Sequence, residues 1–231
     1  MRRTTTAGRR AGRVLVRAMM TTAVLAGLLA VAMPAAVADP CPDAEVIFAR
    51  GTDEPPGPGA VGQAFYNAVL ARAAGRSIDL YSVNYPATTD FPTASQGIVD
   101  ADRRVRDMAA RCPDTRLILG GFSQGAAVIG YLTVDQIPEG TALPPGITGP
   151  LPPEIAEHVA AVALFGTPSA GLLSTIGAPP LTIGPGYTAK TIELCAAGDF
   201  ICGGNGNGPG HLLYAFNGMP EQAADFAITR L

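Results

Sequence analysis

The feature that most constrains this chain is a series of five short apolar, β-prone runs separated by stretches of helical spacing. The runs are Val46–Ala49, Ile78–Val83, Arg116–Gly120, Val159–Phe165 and Thr191–Leu194. Several are continuous rather than alternating, so they offer no face to water and belong in a sheet covered on both sides, where strands are mostly parallel. Between them, Gly62–Ala74 and Ser95–Arg111 carry helical spacing, with Arg103, Arg104, Arg106 and Asp107 on the expected wet face. Ala126–Leu132 follows the third run directly, and Glu221–Leu231 closes the chain as a short amphipathic helix. Strands alternating with helices predict an α/β fold with a mostly parallel sheet. Two stretches resist assignment, the proline-rich Gln136–Pro153 and the Gly/Pro-rich Thr167–Tyr187, and both read as long loops.

The third run carries the chemistry. Leu117-Ile118-Leu119 leads into Gly120-Gly121-Phe122-Ser123-Gln124-Gly125 and then Ala126-Ala127-Val128. That is strand, tight turn and helix. A serine at such an elbow sits in a strained backbone conformation, and only tiny neighbours let strand and helix pass so closely. The turn also sets the Ser123 hydroxyl at a helix N-terminus, where the dipole favours a developing oxyanion. A bare Gly-x-Ser-x-Gly arises by chance in a chain with 28 glycines, so the flanking strand and helix give the motif its weight.

A serine hydroxyl needs a base, and the base needs an orienting acid. The chain has 2 histidines. His158 falls just before the fourth run and reads as a histidine at an element end. His211 lies in Gly208-Pro209-Gly210-His211-Leu212, after the last run, where the order Ser…acid…His expects the base. Among the acids between them, Asp135, Glu139, Glu154 and Glu157 precede the fourth run and Glu193 lies inside the fifth. Asp199 follows the fifth run within Cys195-Ala196-Ala197-Gly198-Asp199-Phe200-Ile201-Cys202, where a disulfide would hold its carboxylate against His211. Its bland alternative is a turn aspartate after Gly198. The backbone N–H of Gln124 is the first expected oxyanion donor, and Thr52, in the loop after the first run, is the candidate for the second.

Residues 1–38 read as a secretory signal: six arginines with no acid, an apolar run from Ala18 to Met33, and Ala36-Val37-Ala38 as the cleavage site. The apolar run is broken by Pro34 and is short for a membrane anchor of roughly 20 residues. The whole chain has 16 basic and 19 acidic residues; without the six signal arginines, ten face 19. So acidic a domain, residues 39–231, carries no electrostatic footprint for nucleic acid or an anionic membrane surface. All 4 cysteines, Cys41, Cys112, Cys195 and Cys202, follow the cleavage site, which favours disulfides over metal ligation. Three pairings are open; the short loop between Cys195 and Cys202 favours joining these two, leaving Cys41 with Cys112.

Together these residues resemble the cutinase family, the small lidless branch of the α/β-hydrolases. The matching stretches are Phe48-Ala49-Arg50-Gly51-Thr52, Tyr85-Pro86-Ala87, Gly121-Phe122-Ser123-Gln124-Gly125, Cys195 through Cys202 with Gly198-Asp199, and Pro209-Gly210-His211-Leu212. The resemblance implies a triad of Ser123, Asp199 and His211, an oxyanion hole at Thr52 and Gln124, and bridges Cys41–Cys112 and Cys195–Cys202. It also implies a five-stranded central sheet with helices on both faces and no metal or organic cofactor. Taken with the signal-like residues 1–38, the expectation is a secreted, monomeric ester hydrolase, either free or associated with the cell wall. The loop before His211, Gly203-Gly204-Asn205-Gly206-Asn207-Gly208, is polar where plant-polyester cutinases are apolar. This favours soluble short- to medium-chain esters over cutin. Phe91, Leu172, Leu173, Ile176, Leu181, Ile183 and Leu212 are candidates for an apolar cleft that would admit a lipid or cell-envelope ester. The competing reading is a secreted surface protein of little activity, whose glycine-rich loop fails to hold His211 near Ser123. A peptidase or thioesterase would use the same residues.

Overall fold

Five strands form one sheet: β1 Ala44–Ala49, β2 Ile78–Ser82, β3 Arg116–Phe122, β4 Val159–Phe165 and β5 Thr191–Leu194. Their spatial order is β2-β1-β3-β4-β5, and every neighbouring pair is parallel. The computed structural model from which these come describes residues 41–137, 141–203 and 208–231. The expected signal segment 1–38, Glu139 and residues 204–207 of the polar loop lie outside the described residues.

The continuous apolar runs have the position they require. All six residues of β1 and all seven of β4 are buried, whereas the outer strands β2 and β5 carry half-exposed and exposed positions. Side chains alternate across the sheet, so each interior strand feeds two cores. On one face Ile47, Leu119, Val162 and Leu164 meet Val105 and Met108 of helix Ser95–Arg111 and Ile129 of helix Gln124–Leu132. On the other, Val46, Phe48, Ile118 and Phe165 meet Phe65 and Val69 of helix Gly59–Leu70 and Ala223 and Ala227 of helix Met219–Ile228.

In chain order the helices are α1 Gly59–Leu70, α2 Ser95–Arg111, α3 Gln124–Leu132, α4 Pro153–His158, α5 Ala170–Thr175, α6 Pro185–Thr188, α7 Phe200–Gly203 and α8 Met219–Ile228. Single 3₁₀ turns occupy Phe91–Ala94 and Pro209–Leu212. Of the stretches expected as loops, Thr167–Tyr187 contains α5 and the start of α6, and Gln136–Pro153 gives way to α4 at its last residue. α4 and α6 each begin on a proline, which sacrifices no intrahelical bond in the first turn, and the Ser169 side chain caps α5 by accepting from Leu172 N–H. α1 begins and ends earlier than expected, because the chain reverses through Ala74 and Gly75, both at positive φ. The wet face expected on α2 holds for Arg103, Arg106 and Asp107, whose side chains are 71%, 40% and 41% exposed. Arg104 is the exception: it reaches across to Glu45, which is 1% exposed, and the two form a forked ion pair.

Both disulfides form as expected. Cys41–Cys112 ties the residues before β1 to the end of α2 with Cα atoms 5.5 Å apart, and Cys195–Cys202, at 5.8 Å, closes the loop after β5.

Candidate active site

The carboxyl ends of β1, β3 and β5 converge on Ser123, the general position for sites in open α/β sheets. β3 runs two residues beyond its expected end, through Phe122, and hands the chain to α3 across Ser123 alone. Ser123 is held at φ 55° and ψ −117°, a strained region for a residue with a Cβ. The flanking glycines are steric necessities. A Cβ on Gly121 would lie 2.2 Å from the Gly125 carbonyl oxygen, and one on Gly125 would lie 2.0 Å from that of Ala49. The Ser123 N–H donates to the Phe165 carbonyl at 2.8 Å, which anchors the elbow to the end of β4.

From Ser123 a hydrogen-bonded line runs inward. Its Oγ lies 2.9 Å from His211 Nε2, and His211 Nδ1 lies 2.9 Å from Asp199 Oδ2. Because Nδ1 faces a carboxylate, it carries the proton, and Nε2 is left to accept from the serine hydroxyl. Asp199 is 1% exposed. Its Oδ1 accepts from Ile201 N–H at 2.8 Å, and Oδ2 accepts from the Tyr214 hydroxyl at 2.7 Å. Burial pushes this carboxyl up, but the donors His211, Tyr214 and Ile201 outweigh it and hold Asp199 below its ordinary value. The Cys202 sulfur also touches Oδ2, at 3.1 Å. As a disulfide sulfur it has no proton to give, so this contact is packing.

Tyr214 is the site residue that sequence reasoning missed. It is completely buried, its hydroxyl accepts from Ala196 N–H at 2.9 Å while donating to Asp199, and burial, with the carboxylate alongside, pushes its phenol well up. The available signal was a tyrosine three residues after His211, an aromatic with a polar end that needs a partner when buried. The His211 ring also stacks on Phe122, with centroids 4.9 Å apart.

The loop after β1 is fixed by Arg50. This 4% exposed guanidinium donates to the carbonyls of Glu54 at 2.9 Å and Tyr85 at 2.6 Å, and the Glu54 carboxylate in turn accepts from Gly51 N–H at 2.6 Å. Thr52 is thereby set beside Ser123 and Gln124, and the three border one pocket of about 480 Å³. Gln124 opens α3, so its N–H has no partner within the helix, and its side-chain amide donates to the Thr88 carbonyl at 2.9 Å.

The remaining candidates divide. Phe91, Leu172, Leu173 and Ile176 line this pocket. Leu181 and Ile183 instead line a second cavity, of about 470 Å³, behind the Cys195–Cys202 bridge, and Leu212 is 76% exposed. His158, Glu154 and Glu157 sit on α4 at the amino end of β4, a strand's length from the elbow at its carboxyl end. Asp135 follows the far end of α3, and Glu193 is exposed on β5.

A parallel sheet with serine, histidine and aspartate in line at its carboxyl end defines an α/β hydrolase of the serine class. The chain belongs to the cutinase family, whose model matches residues 40–231, and it is a carboxylic ester hydrolase. It is 52% identical over 174 residues to a probable carboxylesterase, Culp5, of Mycobacterium tuberculosis, covering 75% of this chain and 99% of that protein. The phospholipase Culp4 of the same organism is 46% identical over 220 residues, 94% of this chain and 90% of the relative. Among solved structures, a Trichoderma reesei cutinase in complex with a phosphonate inhibitor superposes with TM-score 0.63 at 30% identity, over 83% of this chain and 77% of the other. The catalytic core of a Trichoderma reesei acetyl xylan esterase gives TM-score 0.67 at 25% identity, over 83% of this chain and all (100%) of that one.

Proposed function

We propose that this protein is a secreted, monomeric serine esterase that cleaves short- to medium-chain acyl esters, lipid esters among them, through an acyl-enzyme on Ser123. The observation that carries the reading is the unbroken line from Ser123 Oγ to His211 to Asp199, with both links at 2.9 Å. His211 takes the serine proton as Oγ attacks the ester carbonyl. The tetrahedral oxyanion accepts from Gln124 N–H and from Thr52, through its N–H and hydroxyl. Collapse expels the alcohol, which leaves with the proton from His211. A water molecule, deprotonated by the same imidazole, then hydrolyses the acyl-serine and regenerates the hydroxyl. Asp199, ionised and held by Tyr214 and Ile201 N–H, keeps the imidazole in the accepting tautomer and stabilises its charged form.

Export is supported by the signal-like residues 1–38 and by two disulfides, which persist in oxidising surroundings. The test is Ser123→Ala with p-nitrophenyl butyrate. Turnover should fall to the uncatalysed background while the far-UV spectrum and melting temperature stay as in the parent, and the parent should show a burst of p-nitrophenol ahead of its steady state. Retained turnover in Ser123→Ala would remove the assignment.

A further inference from the structure

The pocket beside Ser123 has a direction. Gln124, Ala127, Val128, Tyr131 and Leu132 all border it. Their i, i+3, i+4, i+7, i+8 spacing is a single face of α3. Ser123 is the residue immediately before that helix, so the groove begins at the reacting hydroxyl and follows the helix axis away from it. Between Gln124 and Leu132 the helix rises about 12 Å, the extended length of an alkyl chain of roughly ten carbons.

The walls are apolar as well. Phe91 and Ile98 reach it from the 3₁₀ turn and α2, Leu172 and Ile176 from α5 and the residue after it, and Leu143 and Leu151 from the segment between α3 and α4. Two polar groups along the groove are already satisfied, while the side-chain oxygen of Gln124, the residue after Ser123, is buried without a partner. The Tyr131 hydroxyl donates to the Pro179 carbonyl at 2.5 Å, tying the floor to a wall, and the Asp102 carboxylate accepts from Arg106 Nε at 2.9 Å. A groove lined mainly by apolar side chains, with its unpartnered Gln124 oxygen next to the reacting serine, fits an alkyl chain better than a sugar or a peptide.

Which half of an ester lies there follows from the proton path. The leaving alcohol takes its proton from His211 Nε2, so it departs on the histidine side. His211 does not border the groove, which opens from Ser123, Thr52 and Gln124 instead. The acyl half is therefore the half directed along α3. We propose that this groove is the acyl site, and that it makes the enzyme selective for acyl chains of about eight to ten carbons over acetate and over palmitate. The proposal rests on Ser123 being the nucleophile.

Each methylene that enters the groove contributes at most about fourfold to kcat/KM. The test measures kcat/KM for p-nitrophenyl esters from acetate to palmitate, all below their aggregation limits. It uses the parent, Ala127→Phe, which fills the groove one turn beyond Gln124, and Ile176→Trp, which narrows it from the less buried wall. In the parent, kcat/KM should rise at least tenfold from butyrate to an optimum at octanoate or decanoate and fall by palmitate. The decanoate-to-butyrate ratio should drop at least tenfold in Ala127→Phe and in the same direction in Ile176→Trp. A parent profile that declines steadily from acetate, with butyrate still turned over, overturns the acyl groove alone. So does a ratio unmoved by both variants. No turnover of any ester, together with no fluorophosphonate adduct on Ser123, overturns the esterase mechanism and the groove with it.

Discussion

Replacing Tyr214 by phenylalanine isolates the support of the triad from the triad itself. The ring remains, packed against Phe122 with centroids 5.4 Å apart and edge-on to Phe165 at 6.3 Å, so no cavity is opened. Only the hydroxyl leaves, and with it a 2.7 Å bond to the Asp199 carboxylate and a 2.9 Å bond from Ala196 N–H. A hydrogen bond to a charged group contributes about 1.5–3 kcal/mol, and a buried N–H left without a partner costs about 1–3 kcal/mol. Relaxation around Ala196 recovers part of that sum, so a net destabilisation of about 3 kcal/mol is expected. Asp199 keeps two donors, His211 and Ile201 N–H, and stays ionised at neutral pH, so the triad survives with a looser imidazole. A kcat loss of about tenfold, or about 1.4 kcal/mol in the barrier, should follow with KM little changed. Urea unfolding and steady-state hydrolysis of p-nitrophenyl butyrate measure the two effects separately. A Tyr214→Phe protein with kcat within twofold of the parent would refute the positioning role, whatever its stability. A loss of stability below about 1 kcal/mol would refute the hydrogen-bond accounting.

Two further predictions follow from the same surroundings. Cutting the bridge after β5 with Cys195→Ala and Cys202→Ala releases a loop closed over a sequence separation of 7. Stability should fall by about 2.5 kcal/mol, and kcat should fall with it because the freed loop carries Asp199; unchanged kcat in the folded double variant would count against a disulfide-held acid. The acid limb of stability should also carry the signature of Asp199. Its folded value is held below the ordinary 3.8, so its ionisation stabilises the fold above that value, and the contribution is lost as pH falls through the lower folded value. Melting temperatures between pH 5 and pH 2 should therefore fall less steeply in Asp199→Asn than in the parent, and parallel curves would contradict the shift.

The fold was legible where local chemistry and final environment agree. Val159–Phe165 occupies its expected span because a continuous apolar run bounded by turn residues has few alternatives to a covered strand, and Thr191–Leu194 keeps its span as the edge strand beside it, with Glu193 exposed. The elbow was legible because part of its steric demand is local: the carbonyl that would strike a Cβ at Gly121 is that of Gly125 in the same turn, whereas the one facing Gly125 comes from Ala49 at the end of β1. Ser123, His211 and Asp199 followed from roles and chain order, and the structure brings all three within hydrogen-bonding distance.

What stayed hidden depends on contacts distant in the chain. Tyr214 looks like any core aromatic until the fold brings Asp199 and Ala196 to its hydroxyl. Arg104 resembles any wet-face arginine in sequence because its partner, Glu45, lies 59 residues away on a strand. The short helices α4 and α5 are buried in proline- and glycine-rich sequence, and one proline or one serine decides where each begins. The apolar groove is harder still to see, since its floor, walls and cover come from four separate stretches of chain.

The central claim is that Ser123 is the nucleophile, activated by the line it shares with His211 and Asp199. Incubation of the intact protein with a fluorophosphonate, followed by peptide mapping by mass spectrometry, measures it most directly. One adduct per chain, on the peptide containing Ser123 and absent from Ser123→Ala and strongly slowed in His211→Ala, is the predicted result. An adduct on another residue, or none on a folded protein that still hydrolyses p-nitrophenyl butyrate, would contradict it.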